Sequence, residues 1–247
     1  MPEISLRAEE IFKIGSFTVT NAIFLSFFVL LLLGGTAFLV RRRISEIPGK
    51  VQGIFELFLE QVLKLMDSVL GERQLSEKYL PIVATIFLFV ITSNWLGLLP
   101  IVGSIKIAVE HSGEIFHIPL FRSPASDLNF TIILAIIAVF SVNILGVTAI
   151  GFKKHASKFF HLGNPFLSFA GILEFISEFV KIISFSFRLF GNVFAGEVLL
   201  IIIGYLVPYF IPLPFLFLEV FVGAIQAFIF SMLTLVFIGM AVREPEH

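Results

Sequence analysis

Four stretches of this 247-residue chain are apolar over lengths that match the thickness of a lipid bilayer. A helix needs about 20 apolar residues to cross roughly 30 Å of hydrocarbon. Three of the stretches allow one crossing each, and the fourth is long enough for two. They cover residues 17–40, 80–100, 128–151 and 169–242. The sequence therefore predicts an all-α integral membrane protein with about five membrane helices.

The amino-acid composition agrees with this class and excludes others. Apolar residues make up 57% of the chain and charged residues 14%, whereas soluble domains average roughly 45–50% and about 25%. Such a chain has too little polar surface to cover a water-soluble core, which excludes soluble enzymes and nucleic-acid binders. The absence of cysteine excludes thiol catalysis, disulfides and cysteine-based metal sites.

The distribution of Lys and Arg predicts the orientation, because cytoplasmic loops carry an excess of these residues. Eleven of the 17 lie in segments 41–79 and 152–168 and at the C-terminus, and four lie in 1–16 and 101–127. We therefore expect an extracytoplasmic N-terminal tail and a cytoplasmic C-terminus. The first apolar stretch is longer than the core of a signal peptide, so we expect it to be retained. The basic residues on the expected outer side are Arg7, Lys13, Lys106 and Arg122.

An amphipathic pattern follows the first span. In residues 51–70, charged residues recur at steps of 4, 4 and 3, with large apolar residues on the opposite side. This pattern predicts a helix in the cytoplasmic membrane interface. A helix that docks on a soluble partner is the alternative. The charged residues are Glu56, Glu60, Lys64 and Asp67.

The C-terminal apolar region is longer than two perpendicular crossings need. Residues 169–207 contain no proline and would measure about 60 Å as one helix, roughly twice the hydrocarbon thickness. Such a segment must tilt steeply or break into two helices, and the sequence leaves this open. Three prolines then predict a turn at 208–214, after which residues 215–247 return to the cytoplasm.

Ionisable residues within this region indicate function. Each costs roughly 2.5–3.5 kcal/mol to insert at the centre of a membrane helix. On a helix, the steps of three and four residues from Glu174 to Asn192 place one polar set on a single face. An ordinary ion-paired face near the inner interface is the alternative for the first three members of this set. The set is Glu174, Glu178, Lys181, Ser184, Arg188 and Asn192, and the other ionisable residues are Glu197 and Glu219.

Arg188 is the strongest of these candidates. It lies about midway through the proline-free segment and has no carboxylate three or four residues away. Its guanidinium stays charged in any accessible environment. A cation at this depth needs an anion from another part of the structure.

A second candidate pair lies on the last helix. Glu219 and Gln226 are seven residues apart and share a face, with Gly223 between them as a gap. A carboxyl and an amide beside a gap favour a short water-filled proton path. The alternative is one tolerated glutamate near the outer end and a packing glutamine.

Two other classes of function find less support. A self-sufficient proton-coupled secondary transporter would show inverted repeats and paired broken helices, and neither is evident. An intramembrane enzyme would need a catalytic set such as HExxH or GxSxG, and the chain has neither. Two histidines and three carboxylates in the loop 101–127 lack the spacing of a helical ligand set, so we predict a solvated loop without a metal.

Five motifs, taken in order, resemble subunit a of the F-type ATP synthase, bacterial type. The resemblance covers nearly the whole chain and implies a membrane stator, non-catalytic on its own, with two aqueous half-channels. These would pass protons to and from the carboxylates of a rotating c-ring. The last two helices would form a long, strongly tilted hairpin around that ring. The motifs are SNWLGLLP at 93–100, DLNFT at 127–131, NPF at 164–166, RLFGNVFAGE at 188–197 and AIQAFIF at 224–230.

The resemblance also implies roles for individual residues. Arg188 matches the arginine that faces the c-ring carboxylate and separates the half-channels, and Asn192 matches the asparagine one turn further on. The extracytoplasmic uptake path would contain Asn94, Glu197 and Gln226, and the cytoplasmic release side would contain Glu174, Lys181 and Ser184.

Two positions depart from the family pattern. Glu219 stands where some members have His, so the uptake path would relay protons through carboxyl groups. Gly97 stands where some members have Asp.

Partners and location follow from the same resemblance. We expect the c-ring proteolipid oligomer, the peripheral-stalk b subunits and the rest of the ATP synthase as partners, within a lipid bilayer. No cofactor, metal or nucleic acid is expected. Protons are expected in preference to sodium, although ion selectivity would reside largely in the partner ring. The chain shows no transit peptide, which favours a bacterial plasma membrane.

Overall fold

A computed structural model describes residues 8–15, 17–42, 44, 49–111, 114–157 and 165–243. Five helices in this part of the chain are long and apolar enough to cross a membrane, which confirms the predicted all-α membrane fold. Some predictions concern residues outside these ranges. These residues are 1–7 and 16 of the tail, which include Arg7, then Arg43, Lys158, Asn164 of the NPF motif, and 244–247.

The N-terminal region forms a small hairpin before the first membrane helix. Strand β1 (Glu10–Ile14) pairs antiparallel with β2 (Phe17–Thr20), and α1 (Asn21–Arg42) follows directly. The predicted span began at residue 17, whereas the helix begins at Asn21 because residues 17–20 are paired with β1. The side-chain amide of Asn21 donates to the Pro119 carbonyl (3.3 Å), which ties the start of α1 to a distant loop.

Two helices follow. α2 (Lys50–Leu70) covers the predicted amphipathic segment, and α3 (Arg73–Gly97) contains the second span. Met66 on α2 and Tyr79 on α3 are buried in one hydrophobic core. The apolar side of the C-terminal part of α2 is therefore packed against the protein itself.

The corner between α2 and α3 depends on a glycine. Gly71 has a φ of 82°, a left-handed conformation, and its N–H donates to the Asp67 carbonyl (2.9 Å). The Ser76 hydroxyl and the Arg73 guanidinium lower the pKa of the Asp67 carboxyl below its ordinary value. The corner thus holds an ionised carboxylate beside the N-terminus of α3, where the helix dipole also favours it.

The segment between the second and third spans is partly folded. A single helical turn, α4 (Ile101–Ser104), precedes strands β3 (Lys106–His111) and β4 (Glu114–Pro119), which pair antiparallel. The two predicted loop histidines therefore belong to a β-hairpin.

A 3-10 turn (Pro124–Ser126) leads into the third span, α5 (Leu128–Ile150). The Asp127 carboxylate accepts a hydrogen bond from the N–H two residues on (3.0 Å), so the DLNFT motif caps this helix. Gly151, with a φ of 85°, then turns the chain into the short helix α6 (Phe152–Ser157).

The last two helices form an antiparallel pair. α7 (Pro165–Leu206) is one continuous helix of 42 residues, about 63 Å long at 1.5 Å per residue. This answers the question that the sequence left open. α8 (Pro212–Val242) begins at a proline, whose missing N–H costs no helical hydrogen bond there. Phe185 and Phe230 join the two helices with ring centroids 4.8 Å apart.

The chain divides into two compact units, and the boundary passes through α3, α5, α7 and α8. The first unit contains both β-hairpins and α1. The second contains α2, α6 and the core around Met66. The first unit is Met1–Ile44, Phe87–Thr131 and Phe187–Phe228, and the second is Ser45–Ile86, Ile132–Ser186 and Ile229–His247.

Candidate functional site

Most of the predicted site residues lie in two groups of polar side chains, one in each unit. The first cluster is Asn94, Arg122, Glu197, Glu219 and Gln226, and the second cluster is Asn143, His155, Glu174, Glu178 and Lys181.

The first cluster brings two carboxyl-bearing segments together where α7 and α8 pack. Glu219 is 8% exposed, and a Cβ added at Gly196 would overlap its carboxyl group. The Glu219 carboxyl therefore packs directly on the α7 backbone, beside the residue that precedes Glu197. Only a glycine at this position of α7 permits so close an approach.

Arg122 belongs to this cluster, although the sequence indicated only its contribution to orientation. Its Nε lies 3.7 Å from Glu197 Oε1 and donates to Ser126 Oγ (3.1 Å), and its side chain is 8% exposed. A guanidinium that faces a carboxylate at this distance orients both side chains by electrostatic attraction. The sequence signal was weak because an arginine in a loop next to a span also fits the orientation rule.

Asn94 links α3 to α8 and corrects the predicted gap. Its Nδ2 donates to the Gly223 carbonyl (3.0 Å), and a Cβ at Gly223 would lie 3.1 Å from Asn94 Cβ. The space left by the glycine is thus occupied by the asparagine side chain. Gln226 is buried one turn further along α8. The predicted Glu219–Gln226 face is therefore lined by a residue from the second span.

Several buried polar atoms of the first unit have no hydrogen-bond partner among the described residues. Buried polar atoms in proteins are usually satisfied by protein groups or by ordered water. Four such atoms around one cluster therefore suit a hydrated environment. They are Ser93 Oγ, Asn94 Oδ1, Ser123 Oγ and Glu197 Oε2.

Gly97, the last residue of α3, packs against the loop that carries Arg122. A Cβ at Gly97 would overlap the Ser123 side chain. A larger side chain at this position would therefore require this loop to shift.

Arg188 and Asn192 lie on α7 outside both clusters. Arg188 is half-buried, Asn192 is exposed, and the Asn192 amide donates to the Arg188 carbonyl (2.8 Å). Gly191 and Ala195 are also exposed. The helix therefore presents a face of small and polar groups around a permanent cation.

The side chains of the second cluster are connected by a series of polar contacts. Lys181 Nζ lies 2.6 Å from Glu178 Oε1 and 3.8 Å from Glu174 Oε1. Asn143 Nδ2 donates to Glu178 Oε2 (3.0 Å), and His155 Nε2 lies 3.1 Å from Asn143 Oδ1. These ion pairs agree with the alternative of an ion-paired face, but Glu178 also has a partner on α5, which in turn contacts His155 on α6. Ser184 lies further along the same helix and is exposed.

The sequence did not identify Asn143 or His155. Asn143 lies inside the apolar third span, and His155 follows that span in a basic segment. An asparagine in a membrane helix was the only local signal. Its partners are 12 and 35 residues away, so the grouping depends on the packing of three helices.

These features define a polytopic membrane protein with ionisable side chains built into its long C-terminal helix pair. The family model described as ATP synthase A chain matches residues 22–239.

Curated relatives agree with that match. The chain is 34% identical to ATP synthase subunit a of Gloeobacter violaceus over 222 residues, which cover 88% of this chain and 82% of the relative. It is 32% identical to ATP synthase subunit a of Moorella thermoacetica over 236 residues, 95% and 96% of the two chains. The corresponding protein of Campylobacter concisus is 36% identical over 214 residues, 85% of each chain. The chain belongs to the ATP synthase subunit a family.

Proposed function

We propose that this chain is the membrane stator that passes protons to and from the carboxylates of a rotating c-ring through two aqueous half-channels. Arg188 carries the proposal, because a half-buried permanent cation lies on a helix face that is otherwise small and exposed. Such a face allows a helix from a partner to approach closely. An anion on that partner would neutralise the guanidinium.

Arg188 would act as a fixed electrostatic barrier. A c-ring carboxyl that arrives protonated is favoured in its ionised form beside the guanidinium and releases its proton. Because arginine does not titrate, it cannot pass a proton directly between the two half-channels. A membrane potential supplies about 2.3 kcal/mol per charge per 100 mV to drive the cycle.

The first cluster would form the extracytoplasmic uptake path. Glu219 and Glu197 can take up and release protons, and Arg122 holds Glu197 in place. Asn94 and Gln226 can orient water beside them. The buried polar atoms without a partner among the described residues support a hydrated path here.

The second cluster would form the cytoplasmic release path, with Glu174, Lys181 and Ser184 in the roles that the resemblance implies. Along α7, Arg188 stands seven residues after Lys181 and nine residues before Glu197. This order along one helix fits a cation that separates two paths.

The assembly and location are part of the same proposal. The chain would have no catalytic activity of its own and would work with a c-ring proteolipid, peripheral-stalk b subunits and the rest of the complex. It would lie in a bacterial plasma membrane with its N-terminus outside and its C-terminus in the cytoplasm.

Arg188→Ala in the whole ATP synthase tests this function. We expect loss of both ATP-driven proton pumping and proton-driven ATP synthesis in membrane vesicles, because a c-ring carboxylate would meet no cation. Co-purification of the variant with the proteolipid establishes assembly. Arg42→Ala, at the exposed end of α1, is the matched control and should leave both activities unchanged. Normal coupled synthesis by the assembled Arg188→Ala complex would overturn the proposal.

A further inference from the structure

Two glutamates, one and two turns before Lys181 on α7, face this lysine, but their surroundings differ. The Glu178 side chain is 18% exposed and its Oε1 lies 2.6 Å from Lys181 Nζ, whereas Glu174 is 46% exposed and 3.8 Å away. Asn143 donates to Glu178 Oε2. Both oxygens of Glu178 therefore have a fixed donor, and each keeps a lone pair for a proton or a water.

The orientation of Asn143 is determined by its contacts. Its Nδ2 donates to the Val139 carbonyl and to the Glu178 carboxylate, both at 3.0 Å. Both of those groups are acceptors, so both amide hydrogens are used and Oδ1 faces His155. The 3.1 Å hydrogen bond between Asn143 Oδ1 and His155 Nε2 therefore requires a proton on His155 Nε2.

Two glycines determine the position of His155. A Cβ at Gly146 would lie 2.7 Å from His155 Cε1, so the imidazole packs directly on the α5 backbone and is 7% exposed. Gly151 turns the chain, and its carbonyl accepts from the His155 N–H (3.0 Å). The imidazole can donate through Nε2 whether the ring is neutral or protonated.

We infer that Glu178 is the carboxylate that accepts protons on the release side, and that Asn143 and His155 are positioning residues that hold it. The inference rests on the proposed function and assigns roles to three residues of the second cluster. In the transfer step, a proton from a c-ring carboxyl moves through water to a Glu178 oxygen, and an O–H bond forms there. That bond breaks when the proton passes to water on the cytoplasmic side, which restores the carboxylate.

Glu178→Gln and Glu60→Gln form a matched pair, because each removes a carboxylate that pairs with a lysine. Glu60 lies 3.1 Å from Lys64 on α2, where its side chain is 55% exposed. In the whole complex we expect Glu178→Gln to slow ATP-driven pumping about a hundredfold or more, the scale of a lost proton-transfer group. Glu60→Gln should slow it less than about twofold, because an exposed ion pair contributes little. Equal rates for the two assembled variants would overturn the role of Glu178.

His155 supplies a test that leaves the charges of α7 unchanged. His155→Ala removes the donor to Asn143 and should slow pumping several-fold. His155→Gln places an N–H the same number of bonds from the backbone and should restore most of the rate. A His155→Ala complex as active as the wild type, or a His155→Gln complex no better than His155→Ala, would overturn the positioning role.

The failure of this inference is distinguishable from failure of the proposed function. If Arg188→Ala abolishes coupling while Glu178→Gln and His155→Ala pump normally, the function stands and the inference is wrong. If the assembled Arg188→Ala complex couples normally, the proposed function itself is wrong. All variants are assayed as complexes that retain the proteolipid.

Discussion

Glu219 shows how the environment of one residue depends on a glycine in another helix. Its carboxyl is buried against Gly196, beside the segment that presents Glu197 to Arg122. From hydropathy alone, Glu219 is only an ionisable residue whose insertion into an apolar helix costs free energy. The partner that makes its position useful lies 23 residues earlier in the chain.

Glu219→Gln should slow proton flux from the extracytoplasmic side, because an amide keeps the shape of the carboxyl but cannot carry a proton. The measurement is passive proton uptake through the membrane sector after removal of the catalytic part, between about pH 6 and 9. Glu77→Gln, on the exposed surface of α3, serves as the control. Unchanged flux across that range would remove Glu219 from the path.

At the scale of elements, close approaches at glycines determine how the long helices pack. Gly196 accommodates the Glu219 carboxyl and Gly223 accommodates Asn94, whereas a Cβ at Gly204 would meet no atom within 4 Å. Two of these α7 and α8 glycines are therefore required by packing and one is not. The sequence does not distinguish these three glycines, because no local pattern marks a glycine that another helix approaches closely.

Gly196→Ala should destabilise the α7–α8 pair by about 1–3 kcal/mol, since the added methyl overlaps the Glu219 carboxyl and forces a shift. We expect less assembled complex, a lower Tm in detergent and reduced proton flux. Gly204→Ala is the matched control on the same helix and should be neutral or slightly stabilising, as alanine favours helix. Identical behaviour of the two variants would contradict the close packing at Gly196.

For the whole molecule, the proposed mechanism needs a partner. The chain supplies a fixed cation and two polar clusters, while the carboxylate that moves between them would belong to the c-ring. Large apolar side chains on α7 such as Phe175 and Phe187 are exposed in the isolated chain. In the complex, we expect lipid or the proteolipid to cover them.

The purified chain in liposomes should therefore conduct no more protons than lipid alone, and flux should appear when the proteolipid is included. The readout is the quenching of a pH-sensitive dye under an imposed potential. Liposomes that contain the proteolipid together with the Arg188→Ala variant of this chain serve as the control in which proton flux is blocked. Proton transport by the chain alone would instead favour a self-sufficient secondary transporter.

The sequence by itself determined the membrane class, the presence of five spans and the family, because hydropathy and the RLFGNVFAGE motif are local properties of consecutive residues. It also located the costly charges, since the insertion cost belongs to each residue. Only the tertiary structure decided that α7 is unbroken, that Arg122 faces Glu197, and that His155 reaches Glu178 through Asn143. These contacts depend on the register between helices far apart in the chain, and a one-dimensional pattern does not contain that register.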